Sequence, residues 1–388
     1  MQTLVILFTL LTSSSYAIDI GKWHIDGFGT IGYMRADFKN DTIEGAFIDR
    51  YDYTTSAPAV LPIYNRDDFL YDSNYGLKIS YDLNSQLTID FQTVANGRSG
   101  DMDPRVDYGL IRYRLNDQIL IRAGLLRPPT WLISEYRYTS ALYPWSRPPL
   151  ENYSVMIINS MPGASFEYQT SLGEDNYFTS TLFIGGGNFE DEAMAQTIKG
   201  STQETTGLVF TFNTDALELR TSFFYSEIDV NVYFLNKKIA VAMDTAAIPN
   251  VITTIKSQNA HFISTGLKFD KYNWLVMIEH ILLTTKDADL KRVESYYTTL
   301  GYYFYNRKFL LHTTYAQTLD RESDSLSPAG DPTDGRRRSL SYGVNYSFND
   351  NWVAKLEVQQ FKNDQIDGVS GQQLDYQRFY SASLNFVF

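Results

Sequence analysis

The residues best suited to chemistry are arginines concentrated in one part of the chain. From Arg105 to Arg147 there are seven arginines against three carboxylates, within a chain whose formal net charge is −12. Guanidinium groups hold planar anions and carboxylates through paired N–H donors. The cluster therefore indicates either a surface that attracts anions or a set of structural ion pairs.

Other chemistry finds little support in the composition. Cysteine is absent, which excludes disulfides and thiolate metal sites, and we expect neither a metal nor a cofactor. The four histidines have no Ser or Asp at a recognisable catalytic spacing; they are His24, His261, His280 and His312. The acidic net charge also argues against binding of nucleic acid.

The elements that position the arginines show a period of two. In the stretch 341–358, Tyr342, Val344 and Tyr346 alternate with polar or small residues, and the pattern resumes after an Asn-Asp-Asn turn at 349–351. Successive strand side chains point to opposite faces, so each strand has one apolar and one polar face. The stretch is predicted to be an antiparallel hairpin that pairs Tyr346 with Ala354.

Sixteen such segments follow one another, with connections that alternate between short and long. They lie near 24–35, 74–83, 85–95, 105–114, 117–124, 163–170, 177–186, 204–213, 215–226, 259–269, 271–282, 294–305, 307–317, 338–348, 350–360 and 377–388. An even-stranded barrel with both termini on one side requires this alternation of connections. The predicted fold is all-β: a transmembrane, 16-stranded antiparallel up-and-down β-barrel with short periplasmic turns and long outer loops.

The N-terminal sequence is typical of an export signal. A short apolar run over 3–11 precedes small residues at Ser15 and Ala17, which fits cleavage after Ala17. We expect residues 1–17 to be a secretory signal peptide and residues 18–388 to form the barrel. After Ala17 no apolar run is long enough for a helical membrane span.

Apolar side chains are expected to face lipid and polar ones a water-filled lumen. Hydrophobic residues make up 44 % of the chain, and the 29 tyrosines suit an interface with one wet side. The first segment, 24–35, should pair with the last, 377–388, because a membrane strand cannot leave an open edge.

The C-terminal segment carries a family resemblance. Tyr380, Ala382, Leu384 and Phe386 alternate up to the terminal Phe388, which resembles the final strand by which the barrel-assembly machinery recognises Gram-negative outer-membrane barrels. With the signal peptide and sixteen segments, the mature chain resembles a trimeric porin along its whole length. The resemblance implies a homotrimer in the outer membrane, with lipid and lipopolysaccharide around it. It also implies a third loop, near 125–162, folded inward.

The arginines then become candidates for a pore constriction. The strand pattern turns Arg112 and Arg114 inward and places Arg112 opposite Arg122; Arg127 and Arg137 complete the predicted basic wall. In porins such a wall faces acidic residues of the inward loop, and the candidates here are Glu135 and Glu151. The alternative is that the arginines pair with lumenal carboxylates such as Asp90 and hold the wall together.

The third loop is also rich in aromatic residues and prolines. Two roles are open for these rings: a sliding surface for sugars, or anchors that fix the loop to the wall. The aromatic candidates are Trp131, Tyr136, Tyr138 and Trp145. Separately, the run Arg336–Arg338 at the outer end of a strand could bind lipopolysaccharide phosphates or simply be solvated.

The leading functional prediction is a water-filled channel for passive diffusion of small hydrophilic solutes, with a possible preference for anions at the constriction. One alternative is a surface protein whose long loops act as an adhesin or phage receptor. A barrel enzyme is the other, and the histidine pattern disfavours it.

Overall fold

The computed structural model describes residues 17–38, 67–97, 102–153, 155, 160–193, 196–234, 251–285, 292–321, 337–363 and 377–388. Eighteen strands are found in these residues: β1 Ile18–Ile20, β2 Trp23–Phe38, β3 Asp67–Asp68, β4 Asn74–Asp82, β5 Leu87–Asn96, β6 Arg105–Arg114, β7 Ile119–Leu126, β8 Met161–Ser171, β9 Tyr177–Ala193, β10 Gln196–Asn213, β11 Leu217–Phe234, β12 Val251–Lys271, β13 Trp274–Thr285, β14 Arg292–Phe304, β15 Phe309–Arg321, β16 Arg337–Ser347, β17 Trp352–Asn363 and β18 Gln377–Val387.

Sixteen of these strands form one closed ring. β2 pairs with β4, each later strand pairs with the next in antiparallel order, and β18 returns to β2. The short strands β1 and β3 pair with β2 and lie outside the ring. The predicted 16-stranded antiparallel barrel is confirmed, and β1 and β3 are additions that the sequence pattern did not reveal.

The two ends of the chain close the barrel. Val387 pairs with Phe28, and the backbone N–H and C=O of Phe388 exchange hydrogen bonds of 2.8 and 2.9 Å with Gly27. The Phe388 ring lies over Gly27, where a Cβ would come within 2.2 Å of it. Glycine at position 27 is therefore required by the close approach of the terminal ring.

Several short turns at one rim share the same pattern of side-chain-to-backbone hydrogen bonds. The side-chain oxygens of Asn84, Asn116, Thr214 and Asn349 each accept bonds from the backbone N–H groups two and three residues later. Such side chains stabilise a tight turn by mimicking its backbone hydrogen bond. The turns predicted at these four residues are confirmed.

The two faces of β16 and of β17 differ as predicted. On β16, Tyr342 is 55 % exposed on the outside whereas Ser341 is buried inside. On β17, Leu356 is 59 % exposed and its neighbour Lys355 only 1 % exposed. The predicted pairing of Tyr346 with Ala354 is also observed. None of the helices in the described residues is long and apolar enough to cross a membrane.

Several predicted boundaries are wrong because strands continue past the alternating pattern. The loop expected near 187–203 is largely strand, since β9 extends to Ala193 and β10 starts at Gln196, and strand also enters both ends of the loop expected near 227–258, since β11 ends at Phe234 and β12 starts at Val251. Beyond the membrane both faces of a ribbon meet water, so the backbone ladder can persist without alternation. The predicted signal peptide, except for Ala17, lies outside the described residues, as does Arg336.

The third loop joins β7 to β8, from Arg127 to residue 160, close to the predicted 125–162. It contains 3₁₀ turns at Ser134–Tyr136 and Ser140–Leu142 and one short helix, α1, at Leu150–Tyr153. Its side chains pack against the inner wall of the barrel in one hydrophobic cluster. The predicted inward fold of this loop is confirmed.

Candidate pore constriction

A buried carboxylate fixes the first half of the third loop. Glu279 of β13 accepts hydrogen bonds from the backbone N–H of Leu132 at 2.9 Å, the hydroxyl of Ser264 at 2.9 Å and the hydroxyl of Tyr153 at 2.6 Å. Three donors compensate the loss of hydration of this carboxylate. Glu279 thus ties the start of the loop and α1 to the same wall strand.

A buried ammonium group fixes the middle of the loop. Lys355 of β17 donates to the backbone carbonyls of Ser140, Tyr143 and Trp145, the last two at 2.7 Å. A lysine has three N–H donors, so the three carbonyls satisfy it completely. The backbone of the loop therefore surrounds the ammonium group of Lys355, a residue of the wall.

A third buried contact fixes the loop beside the seam of the barrel. Arg147 has its Nε 3.1 Å from Asp72 Oδ1 and donates from Nη2 to Ser381 Oγ at 2.6 Å. Both charged side chains are at most 2 % exposed. The loop therefore crosses the lumen from β13 to β18 and fills that side of the barrel.

A cavity of about 600 Å³ remains on the opposite side, between the first half of the loop and the wall from β4 to β11. Its lining is rich in charge, with five basic and four acidic side chains: Lys78, Asp90, Arg112, Arg122, Arg127, Glu135, Glu167, Glu218 and Arg220. The third loop thus leaves one side of the lumen open and charged.

Arg112 and Arg122 form the basic centre of the wall. They are direct cross-strand partners, as predicted. Arg112 Nε lies 3.1 Å from Asp90 Oδ2, and Arg122 Nη1 lies 3.0 Å from Glu167 Oε2. Each arginine thus has a carboxylate on the side away from the other, which offsets the repulsion between them. The ion pair between Arg112 and Asp90, which the structural alternative requires, is therefore observed.

On the loop side of the cavity, the acidic partner of the ion pair is the more exposed one. Arg220 Nη1 of β11 donates to both carboxylate oxygens of Glu135, at 2.9 and 2.7 Å. In this pair the carboxylate is 53 % exposed and the arginine 11 %. On the wall the order is reversed, with Arg112 35 % exposed against 6 % for Asp90. Positive charge therefore reaches the cavity from the wall and negative charge from the loop.

Three predicted charged residues lie elsewhere or act differently. Arg114, near the turn rim, is exposed and does not line the cavity. Arg127 lines it but is mostly buried in an ion pair with Asp107. Glu151 is buried in α1, which packs on β13 to β15, so its predicted place opposite the basic wall is wrong. A residue in a folded loop cannot be placed from strand periodicity.

The aromatic residues act mainly as anchors. Trp131 and Trp145 are buried, and Trp145 Nε1 donates to the hydroxyls of two wall threonines. Tyr136 does line the cavity, and burial raises its pKa. Tyr138 lies among arginines, one of which is Arg137, stacked 5.1 Å from the ring centroid. Of these four candidates only Tyr136 is in position to contact a solute in the cavity.

Sequence reasoning missed the partners on later strands. Glu218 and Arg220 alternate with Leu217 and Leu219, so the period of two places them inward. Their inward orientation could therefore be predicted from the sequence. Their proximity to Glu135 could not, because it depends on the path of the third loop. Glu279 is a single charge among inward apolar residues of β13, which is the signature of a buried anchor.

Comparison with known proteins reveals the fold alone. No protein-family model matches the chain, and no curated protein matches it. Among solved structures, OmpF of Salmonella typhi in complex with daunomycin is similar with a TM-score of 0.57 at 14 % identity, covering 94 % of this chain and 97 % of that chain. The outer membrane channel DcaP of Acinetobacter baumannii gives 0.56 at 11 %, covering 96 % and 100 %. An anion-selective porin from Comamonas acidovorans gives 0.52 at 11 %, covering 94 % and 99 %.

The class of fold follows from these findings. The closed ring, the inward third loop and the similar solved structures define a 16-stranded barrel with the fold of these porins and channels. The resemblance to porins drawn from the sequence is confirmed for the fold.

Proposed function

We propose that this barrel is a passive, non-enzymatic channel for small hydrophilic solutes, and that its selectivity is set in the cavity beside the third loop. The observation that carries the proposal is the unequal exposure of the two members of the Arg112–Asp90 and Arg220–Glu135 ion pairs. Arginines reach the water on the wall, and Glu135 reaches it on the loop. A solute passing between them crosses a transverse electric field.

The same arrangement favours anions. Arg112 and Arg122 are adjacent and 35 % and 28 % exposed, while their carboxylate partners are 6 % and 21 % exposed. The pore lining, rather than the net charge of −12, sets the potential that an ion meets. The wall should thus raise the local concentration of small anions.

Reversal potentials in a planar bilayer with a salt gradient test this proposal. A unit charge acts on an ion 4 Å away with about 1 kcal/mol in bulk water, so Arg122→Gln should lower the permeability to anions by up to about fivefold and raise that to cations to a similar extent, which lowers the anion-to-cation permeability ratio. Glu135→Gln should raise it. Arg114→Gln is the matched control, because it removes the same charge from an exposed position of β6 that does not line the cavity, and it should leave the ratio unchanged.

The opposite results would separate the alternatives. If Arg122→Gln and Arg114→Gln change the anion-to-cation permeability ratio equally, the cavity does not determine selectivity, although the protein is still a channel. If folded protein gives no conductance but its surface binds cells or phage, the adhesin or receptor reading is favoured.

The remaining partners are proposed on the porin resemblance. The chain is a homotrimer surrounded by outer-membrane lipid and lipopolysaccharide, and the barrel-assembly machinery recognises its final strand through Phe388. The exposed outer face of aromatic and aliphatic side chains supports the lipid contact. The mass of the unheated protein in mild detergent tests the trimer, and a monomer would contradict it.

A further inference from the structure

Three arginines surround one tyrosine ring at the start of the third loop. The guanidinium carbons of Arg105, Arg127 and Arg137 lie 6.0, 5.2 and 5.1 Å from the centroid of the Tyr138 ring. Arg105 also donates from Nη2 to the Tyr138 hydroxyl at 3.2 Å. All three positive charges are therefore contained in one sphere of 6.0 Å radius.

Aromatic stacking explains how these like charges are held together. Arg127 also lies 5.7 Å from the ring of Tyr108, and Arg137 lies 5.2 Å from that of Trp131. The negative face of each ring attracts a guanidinium and covers the flat side of that group. The N–H donors project from the edge of the plane, which is where a guanidinium binds an oxyanion.

The charges that act on this site are mainly positive. Arg127 pairs with Asp107, donates from Nη1 to the backbone carbonyls of Ser134 and Glu135 at 3.0 and 3.1 Å, and has its other nitrogens buried, so it contributes positive charge to the site and not N–H donors. Burial raises the pKa of Tyr138, but the positive charges of Arg137, Arg105 and Arg127 outweigh that effect and lower the pKa to about 8. A site that favours a phenolate over a phenol favours negative charge in general.

The cluster is also placed where a solute would meet it. Arg105 is exposed and is the first residue of β6, at the rim that carries the long loops. Arg127 lines the cavity. The cluster therefore extends from the outer rim to the cavity on the route of an incoming solute.

We propose that Arg105 and Arg137, beside the positive charge of Arg127, form an oxyanion-binding site, for phosphate or for carboxylate-bearing solutes, at the outer entrance of the cavity. Its contribution to uptake rests on the proposed channel, whereas its binding of anions does not. It concentrates such solutes before they reach the wall of Arg112 and Arg122.

The ionisation of Tyr138 reports binding directly. The ultraviolet absorbance of tyrosinate is titrated in the intact protein and in Tyr138→Phe, and the difference curve isolates Tyr138. In chloride its midpoint should lie near pH 8. Inorganic phosphate at equal ionic strength should raise the midpoint by on the order of one unit, because a bound anion neutralises the charges that lower the pKa. Succinate forms the second arm and tests carboxylates.

Two variants make the test specific. Arg105→Gln should reduce the response to phosphate severalfold, whereas Arg114→Gln, an exposed arginine at the other end of β6, should keep it. A midpoint that ignores both anions, or an equal loss in both variants, would overturn the site. Because the titration needs no conductance, phosphate binding by a protein that passes no ions would contradict the proposed channel and leave this site standing.

Discussion

Lys355→Met is expected to release the third loop from the wall and to increase the single-channel conductance. The substitution keeps most of the side-chain length but removes the ammonium group that binds the carbonyls of Ser140, Tyr143 and Trp145. A buried carbonyl left without its donor costs about 1–3 kcal/mol. The loop can avoid that cost by moving into the water of the cavity, so docked and undocked states should exchange.

The observable is a larger and noisier open current from a barrel that still assembles. The matched control is Lys78→Met, which removes a lysine that lines the cavity but pairs with the wall residue Asp26 at 3.4 Å and does not hold the loop. Lys78→Met should change the ion selectivity of the channel more than it changes the noise of the open current. If Lys355→Met leaves both current and noise at the wild-type level, the wrapped ammonium is not what fixes the loop.

Leu356→Arg, one residue further along the same strand, is expected to impair membrane insertion. Leu356 is 59 % exposed on the outer face of β17. An arginine facing lipid near the bilayer midplane costs about 2–4 kcal/mol. Folding into lipid vesicles, measured by the heat-sensitive migration of the folded barrel in gels, should therefore show a reduced folded fraction and a shifted denaturant midpoint.

An arginine placed inside the barrel provides the comparison. Thr179→Arg introduces the same side chain into the lining of the open cavity, where water can solvate it. This variant should fold like the wild type and alter conductance instead. Equal folding of Leu356→Arg and the wild type would mean that the outer face of β17 does not meet lipid.

The ring of strands could be predicted from the sequence because each strand of a membrane barrel alternates apolar and polar residues with a period of two. Tyr342 against Ser341, and the turn residues Asn84, Asn116 and Asn349, are enforced locally by lipid, water and turn geometry. The cross-strand contact of Arg112 with Arg122 followed from the turn alone. These features depend on neighbours in sequence or on the adjacent strand.

The path of the third loop could not be obtained in this way. Glu151 was expected at the constriction and is instead buried in α1, while Glu135 lines the cavity and is held there by Arg220. Both outcomes depend on contacts between residues far apart in the chain. A loop with no repeating pattern gives no periodic signal for them.

One feature of the sequence does indicate which side of the barrel is filled. β13 is apolar on both faces, with Leu275, Met277 and Ile281 pointing inward on either side of Glu279. An aqueous lumen needs no inward apolar row, whereas a wall that packs against a loop does. Inward hydrophobicity therefore distinguishes the filled side of this barrel from the open one.

The central claim, a barrel filled on one side and open to water on the other, is most directly tested by thiol labelling during conductance recording, because the chain has no cysteine. Thr179 lines the cavity, whereas Ser295 points inward but is fully buried on the filled side. A negatively charged methanethiosulfonate should lower the single-channel conductance of Thr179→Cys and leave that of Ser295→Cys unchanged. Unaltered current in Thr179→Cys, or equal block of both variants, would contradict this structure of the lumen.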